Sequence, residues 1–233
     1  MGVGLRSGMI AVAMTASLVA GVGGAASAAE DSKAKLVPVK IELPEPGVIG
    51  TRKDFKPNEH QEPPPPPEKP FPPFLAPEGS RNVALNKPVT GSDSDTISGD
   101  LGQITDGDKQ WGSHIELATG RQWVQIDLQA NHQIHGISVW HYFKEPRYYH
   151  DVVVQAADDP DFITNVRTLF NNDYDNSSGL GIGKDLEYLD THHGRQIQAK
   201  DVAARYVRLY SKGSTDNEHN HYVEVEVYGK PAP

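Results

Sequence analysis

The sequence predicts an all-β fold, an antiparallel β-sandwich preceded by a disordered proline-rich tether, and three observations carry that prediction. In Gln122–Leu128 the apolar Val124, Ile126 and Leu128 alternate with Gln125 and Asp127, the two-residue period of a strand with one face in a core. The same alternation returns in Tyr206–Tyr210 and Tyr222–Tyr228, with aliphatic residues on one face and aromatic or charged ones on the other. No stretch sustains a helical period, and strands buried on one face need a facing layer, so a sheet packed on a sheet is the expected core.

The N-terminal residues 1–28 carry Arg6, an acid-free apolar run from about Met9 to Val22, and Ala26-Ser27-Ala28. This is the pattern of a secretory signal with a small-residue cleavage site. The apolar run is shorter than the roughly 20 residues a bilayer-spanning helix needs, so no membrane insertion is expected after cleavage. Removal after Ala28 deletes one cation and no acid, taking the formal net charge of −9 one unit lower. The chain has no cysteine, which leaves no disulfide framework and no lipid-attachment thiol. Its acidic balance, with Lys and Arg unclustered, argues against binding nucleic acid or anionic lipid.

Residues 29–80 shift in composition: Pro44, Pro46, Pro57, the run Pro63 to Pro67, then Pro70, Pro72, Pro73 and Pro77. Proline fixes φ and removes a donor, so this stretch is expected to be an extended, solvated spacer; the competing reading is that one of its only apolar patches, Leu36–Leu43 or Phe71–Leu75, docks on the domain or on a partner. Residues 81–230 read as one domain of short apolar runs separated by turn residues. Strands are expected at Val83–Ala84, Gln122–Leu128, Gln133–Tyr142, Asp151–Ala156, Arg167–Phe170, Gln196–Gln198, Arg205–Ser211 and His221–Tyr228.

Five motifs in order are Asn82–Thr90 (NVALNKPVT), Ile104–Asp108 (ITDGD), Trp123–Leu128 (WVQIDL), Ala204–Leu209 (ARYVRL) and the closing Glu224–Gly229 (EVEVYG). Together they resemble the F5/8 type C (discoidin) family, which includes galactose-binding-like carbohydrate-binding modules of bacteria and the fucose-binding lectins. The resemblance spans Asn82 to Gly229. It implies a sandwich of jelly-roll type whose loops at one end bind a ligand. Animal members commonly tie the domain ends with a disulfide, so its absence here favours the bacterial branch.

The Asp106-Gly107-Asp108 loop, with Ser113 five residues on, offers hard oxygen donors around a glycine turn, the chemistry calcium takes. The resemblance adds Glu224, since the first glutamate of the closing strand reaches this loop in similar domains. It thus implies a structural Ca2+ held by the side chains of Asp106 and Glu224, oxygens of Asp108 and Ser113, and the backbone carbonyls of Gln103 and Val223. Asp108 stands where asparagine is more usual.

His141–His150 (HYFKEPRYYH) is the most chemically loaded stretch. Aromatic faces stack on sugar C–H faces while Arg and His donate to hydroxyls, so His141, Tyr142, Arg147, Tyr148 and Tyr149 are candidate glycan contacts. The competing expectation is that Tyr148 and Tyr149 pack as structural aromatics. By resemblance to the fucose lectins, His114 and Arg147 are counterparts of ligand-binding basic residues, and a further arginine of that pattern is missing.

Other motifs carry less. Glu224 and Glu226 share a strand face about 7 Å apart, near the lower end for an inverting glycosidase pair, yet one strand leaves no room for substrate between them. Gly179–Asp185 lacks the phosphate-loop spacing and reads as a connecting loop. Asp173–Gly179 imitates the start of an EF-hand but misplaces its glycine, and reads as a turn. His192, His193, His219 and His221 read as exposed loop residues; a transition-metal site on the shared face of His219 and His221 finds no third ligand by spacing. No catalytic constellation is present at recognisable spacing.

The expected function is that of an exported, non-catalytic module, secreted, periplasmic or on the surface of a bacterium, that binds glycan; the alternative is a structural or assembly protein binding another protein at the cell envelope. Mass spectrometry of the mature chain should find it starting at Ala29, and a chain that keeps Met1 in the cytoplasm would overturn the export reading.

Overall fold

A computed structural model of the protein describes residues 1–2, 4, 35–47, 56–66 and 70–232. The chain divides into two compact units, Met1–Lys33 and Ala34–Pro233; apart from Met1, Gly2 and Gly4, the expected export signal lies outside the described residues. Among those residues no helix is long and apolar enough to cross a membrane.

The second unit is the expected antiparallel sandwich. Its strands are β1 (Leu36–Pro38), β2 (Leu75–Pro77), β3 (Arg81–Asn82), β4 (Val89–Gly91), β5 (Ile115–Leu117), β6 (Gln122–Trp140), β7 (Val153–Ala157), β8 (Arg167–Asn171), β9 (Arg195–Ser211), β10 (Asn220–Tyr222) and β11 (Glu224–Pro231). The main sheet runs β3-β11-β6-β9-β7-β8, with β4 paired to β6; β10 pairs with β5, and β1 with β2.

Two long strands replace two expected pairs of short ones. β6 and β9 pair from Gln122↔Ser211 to Val139↔Arg195, with register shifts between Asp127 and His132 and between Ile134 and Gly136. Gln129 at the first shift has φ +66°, a left-handed residue that bends the chain within β6. The bend lets both halves of β6 face one core: Val124, Ile126 and Leu128 from the first half, and Ile134, Ile137 and Val139 from the second, join Val207, Leu209, Val225 and Val227 in a single cluster. The expected last strand breaks instead. Val223 separates β10 from β11, donating its N–H to the Trp140 carbonyl at 2.8 Å.

The segment expected as a solvated tether lies on the domain over its described parts, and the reason is its two apolar patches. β1 pairs with β2, and Phe74, 2% exposed, packs with Ala76, Tyr228, Val39 and Ile41. Gly136 makes the slot: a Cβ there would meet Phe74 Cζ at 2.0 Å. Ile41 also packs on the cluster of Trp140, Phe143 and Val223. Further along, Gln61 forms a parallel bridge with Glu187. Glu62 pairs with Arg195 at 2.8 Å and its carbonyl accepts from Tyr148 Oη at 2.8 Å. Proline-rich composition fixed the extended backbone, but burial followed the apolar side chains.

Phe74→Ala should destabilise the domain by about 3 kcal/mol, the low end for a buried phenylalanine because the arm can undock locally. Denaturant unfolding measures it, alongside limited proteolysis in which protection reaches back to Leu36. Unchanged stability, with cleavage anywhere up to Ser80, would restore the solvated spacer.

Candidate functional site

The Asp106 loop follows a 3-10 turn over Leu101–Thr105, which Asp100 and Gln103 close reciprocally. Asp106 Oδ1 accepts the Asp108 N–H at 2.8 Å, and Gly107, at φ +91°, supplies the left-handed residue that curls the loop. Asp108 turns its two oxygens to the Gln110 N–H, at 3.0 Å, and the Ser113 hydroxyl. The Ser113 hydrogen bond in particular holds the Asp108 carboxyl below its ordinary value. The Gln103 carbonyl accepts the Asp106 N–H at 3.5 Å.

Glu224 reaches this loop across the sequence, as expected: the Gly107 N–H donates to its Oε2 at 3.3 Å. The residue is fully buried, as is Val223 before it. Its Oε1 has no hydrogen-bond partner among the described residues. Burial pushes its pKa up to about 9. One oxygen of this buried carboxyl is thus answered by the Asp106 loop and the other is not. Glu226 is different: Lys109 Nζ lies 2.8 Å from it and Tyr228 Oη donates to it. Both of its oxygens are committed, and both glutamates are buried, so the pair does not flank an open cleft.

At the end of the sandwich the expected ligand residues divide into two sets. His114, Tyr142 and Arg147 come together: the His114 ring meets Tyr142 edge-on with centroids 4.6 Å apart, and the Arg147 guanidinium lies over Tyr142 at 4.8 Å. His114 and Tyr142 are half-buried, so each keeps an outward face. Trp111, with Lys144 Nζ 4.3 Å over its ring, adds a half-buried aromatic to this neighbourhood that the sequence reading did not single out. Arg147 is 3% exposed and bound to Glu145 and Asp216, each at 3.2 Å. Its charge therefore bridges two loops before it meets any ligand.

His141, Tyr148 and Tyr149 are withdrawn from solvent, which corrects the expectation that they offer faces to a sugar. Tyr148 holds the arm, its hydroxyl bonded to Glu62 and pushed up to about 12 by burial. Tyr149 stacks on His141 at 4.4 Å and shares a 3.1 Å hydrogen bond with His221. His141 Nδ1 sits 3.4 Å from Asp190 in a fully buried pair. These adjacent residues are pinned because the loop is gripped from both sides, by the arm and by the core.

Two further readings meet their surroundings as follows. The histidines are not uniformly exposed: His221 is buried, His219 is half-buried, and His193 stacks on Phe71 of the arm at 4.4 Å. Asp173 caps its own turn, accepting from the N–H groups of Ser177 and Ser178. Asp151, Asp173 and Asp175 present oxygens within 4.8 Å of one another, with Lys212 3.7 Å from Asp151.

Comparison with known proteins agrees with this architecture. A family 89 glycoside hydrolase from Clostridium perfringens superposes with a TM-score of 0.50 at 16% identity, covering 65% of this chain; the chain spans only 15% of that enzyme's length. The module CpGH89CBM32-4 from Clostridium perfringens, solved with GlcNAc-α-1,4-galactose, gives 0.48 at 19% identity, covering 66% of this chain and 96% of the module. A chitosan-binding module from a Paenibacillus sp. IK-5 chitosanase/glucanase gives 0.47 at 22%, covering 64% of this chain and 99% of the module. No curated protein sequence matches. The F5/8 type C domain model matches residues 88–225, and with the five motifs and the bent sandwich in place, the chain belongs to the F5/8 type C domain family.

Proposed function

We propose that this protein is an exported, non-catalytic glycan-binding module with a calcium-stabilised sandwich. The observation that supports the glycan reading is the convergence at one end of His114 with Tyr142 and Arg147 of the 141–150 loop. Tyr142 supplies a flat face for sugar C–H groups and His114 a ring nitrogen for hydroxyls. Arg147 orients Tyr142 and ties the 141–150 loop to Asp216. A protein partner is the second reading. One observation favours it: this end already takes an extended chain, since Glu62 N donates to the Glu187 carbonyl at 2.8 Å beside the parallel bridge.

Calcium would be held by the side chains of Asp106 and Glu224, oxygens of Asp108 and Ser113, and the carbonyls of Gln103 and Val223. The orphaned Glu224 oxygen supports this donor set. Without a cation, a folded-state pKa of about 9, against about 4.3 unfolded, makes the neutral acid the form that favours folding. That contribution is whole below about pH 4.3 and drains away as pH rises toward the folded value. At neutral pH a bound cation would stabilise the charged form and relieve the penalty.

Calcium at about 100 times its dissociation constant should add roughly 2.7 kcal/mol, raising the melting temperature by a few degrees, and EDTA should reverse it. Glu224→Gln should abolish the response while leaving the metal-free protein at least as stable at pH 7. A melting curve indifferent to calcium in the natural sequence would remove the site.

On a glycan array, Tyr142→Ala and His114→Ala should each weaken binding by about 1 kcal/mol with little change in melting temperature. Arg147→Ala should lower both affinity and stability, because it removes a buried side chain that packs on Tyr142 and ties the 141–150 loop to Asp216. Capture of an envelope protein with no glycan hit would move the function to the second reading.

A further inference from the structure

We infer that the rim formed by Tyr148, Tyr174, Glu187 and Arg195 is a docking groove for an extended acidic peptide, and that the arm's own His60-Gln61-Glu62 is its resident occupant. The contacts are those of strand addition, in which main-chain hydrogen bonds give affinity and side-chain seats give specificity. Glu187 takes the segment twice through its backbone: its N–H donates to the His60 carbonyl at 2.9 Å, and its carbonyl accepts the Glu62 N–H at 2.8 Å. Gln61 lies between them in a parallel bridge with Glu187, and its Nε2 donates to the Glu187 carboxylate at 2.8 Å. The Tyr148 hydroxyl donates to the Glu62 carbonyl at 2.8 Å. Side chains set the preference. The Arg195 guanidinium forks over the Glu62 carboxylate, Nη1 at 2.9 Å and Nη2 at 2.8 Å, a geometry that favours a carboxylate over a neutral side chain. The His60 ring lies flat on Tyr174, with centroids 3.7 Å apart and planes 3° from parallel.

The seats are built by the sandwich rather than by the arm. Tyr148 and Glu187 are buried. The Tyr148 N–H donates to Thr215 Oγ1 at 3.1 Å, and the residue bridges to Leu189. His150 Nδ1 lies 2.6 Å from the Glu187 oxygen that Gln61 does not use. Arg195 is laid over the rings of Tyr188 and Phe170, at 4.8 and 5.2 Å. Each part of the groove therefore has partners other than the arm, the preorganisation that lowers the cost of binding. The occupant is held differently from Phe74, since none of residues 56–66 is buried. Beside it a cavity of about 310 Å³, lined by Pro63, Pro65, Phe71, Tyr188 and Thr191 among others, is left unfilled. Directed polar contacts over an incompletely filled groove are contacts that a second peptide of the same chemistry can replace one for one.

The inference stands apart from the glycan reading, and its test uses no sugar. The probe is a fluorescent synthetic peptide of residues 56–66, titrated by anisotropy against the full chain. The natural sequence should bind it weakly, because the tethered segment competes at a high effective concentration. Glu62→Arg, whose own arm meets Arg195 with like charge, should bind the same peptide at least about tenfold tighter. Against that variant, a peptide carrying Glu62→Gln should bind at least about fivefold more weakly, and one carrying His60→Ala about threefold more weakly. Tyr174, exposed apart from this contact, supplies the control: Tyr174→Ala added to the variant should weaken the unaltered peptide and leave the His60→Ala peptide unchanged, a coupling that damage to the fold would not give. No binding to Glu62→Arg, equal binding by it and the natural sequence, or binding indifferent to both peptide changes would overturn the groove and leave residues 56–66 as a fixed part of the domain.

Discussion

The structure depends on a strand buried on both faces. β11 sends Val225 and Val227 into the main core, and so turns Glu224 and Glu226 the other way, where they too are buried. Buried carboxylates are costly unless paired and hydrogen-bonded. Glu226 is answered within the protein by Lys109 and Tyr228. Glu224 receives one N–H, from Gly107, and that single contact fixes the Asp106 loop against the closing strand while leaving one oxygen unanswered.

From that strand outward, the arm and the sandwich end are set by what remains uncovered. Phe74 can lie over the sheet because Gly136 has no side chain, and its ring meets Tyr228 at 5.5 Å, on the same face as the two glutamates. Trp140 and Val223, which Ile41 covers, are the residues from which the 141–150 loop and the closing strand depart. That loop is held at its C-terminal edge: Tyr148 anchors to Glu62 and Tyr149 to His221. Of the aromatics before them, Phe143 is buried and Tyr142 keeps an outward side.

The sandwich was legible in the sequence because its signal is local: Val124, Ile126 and Leu128 declare a buried face without reference to any other segment. So was the link from the Asp106 loop to Glu224, but by resemblance rather than by spacing. Burial of the arm was not legible, since proline reports backbone geometry and says nothing of solvent; Leu36–Leu43 and Phe71–Leu75 were the only hint. Nor could adjacency tell Tyr142 from Tyr148 and Tyr149, because the difference lies in contacts to Glu62 and His221, far away in sequence. Glu116 escaped for the same reason. An isolated glutamate in Ile115–Leu117 becomes a partner of His221 only when the β5–β10 register is known.

That register places three kinds of chemistry on one short segment. Over residues 111–117, Ser113 bonds Asp108 of the oxygen-rich loop, His114 lies against Tyr142, and Glu116 faces His219 and His221. A cation that drew on the oxygens of Asp108 would compete with Ser113 for them, and Ser113 is bonded directly to the residue that presents its ring to Tyr142. The Trp111–Ser113 turn therefore joins the Asp106 loop to the sandwich end within one short stretch of chain.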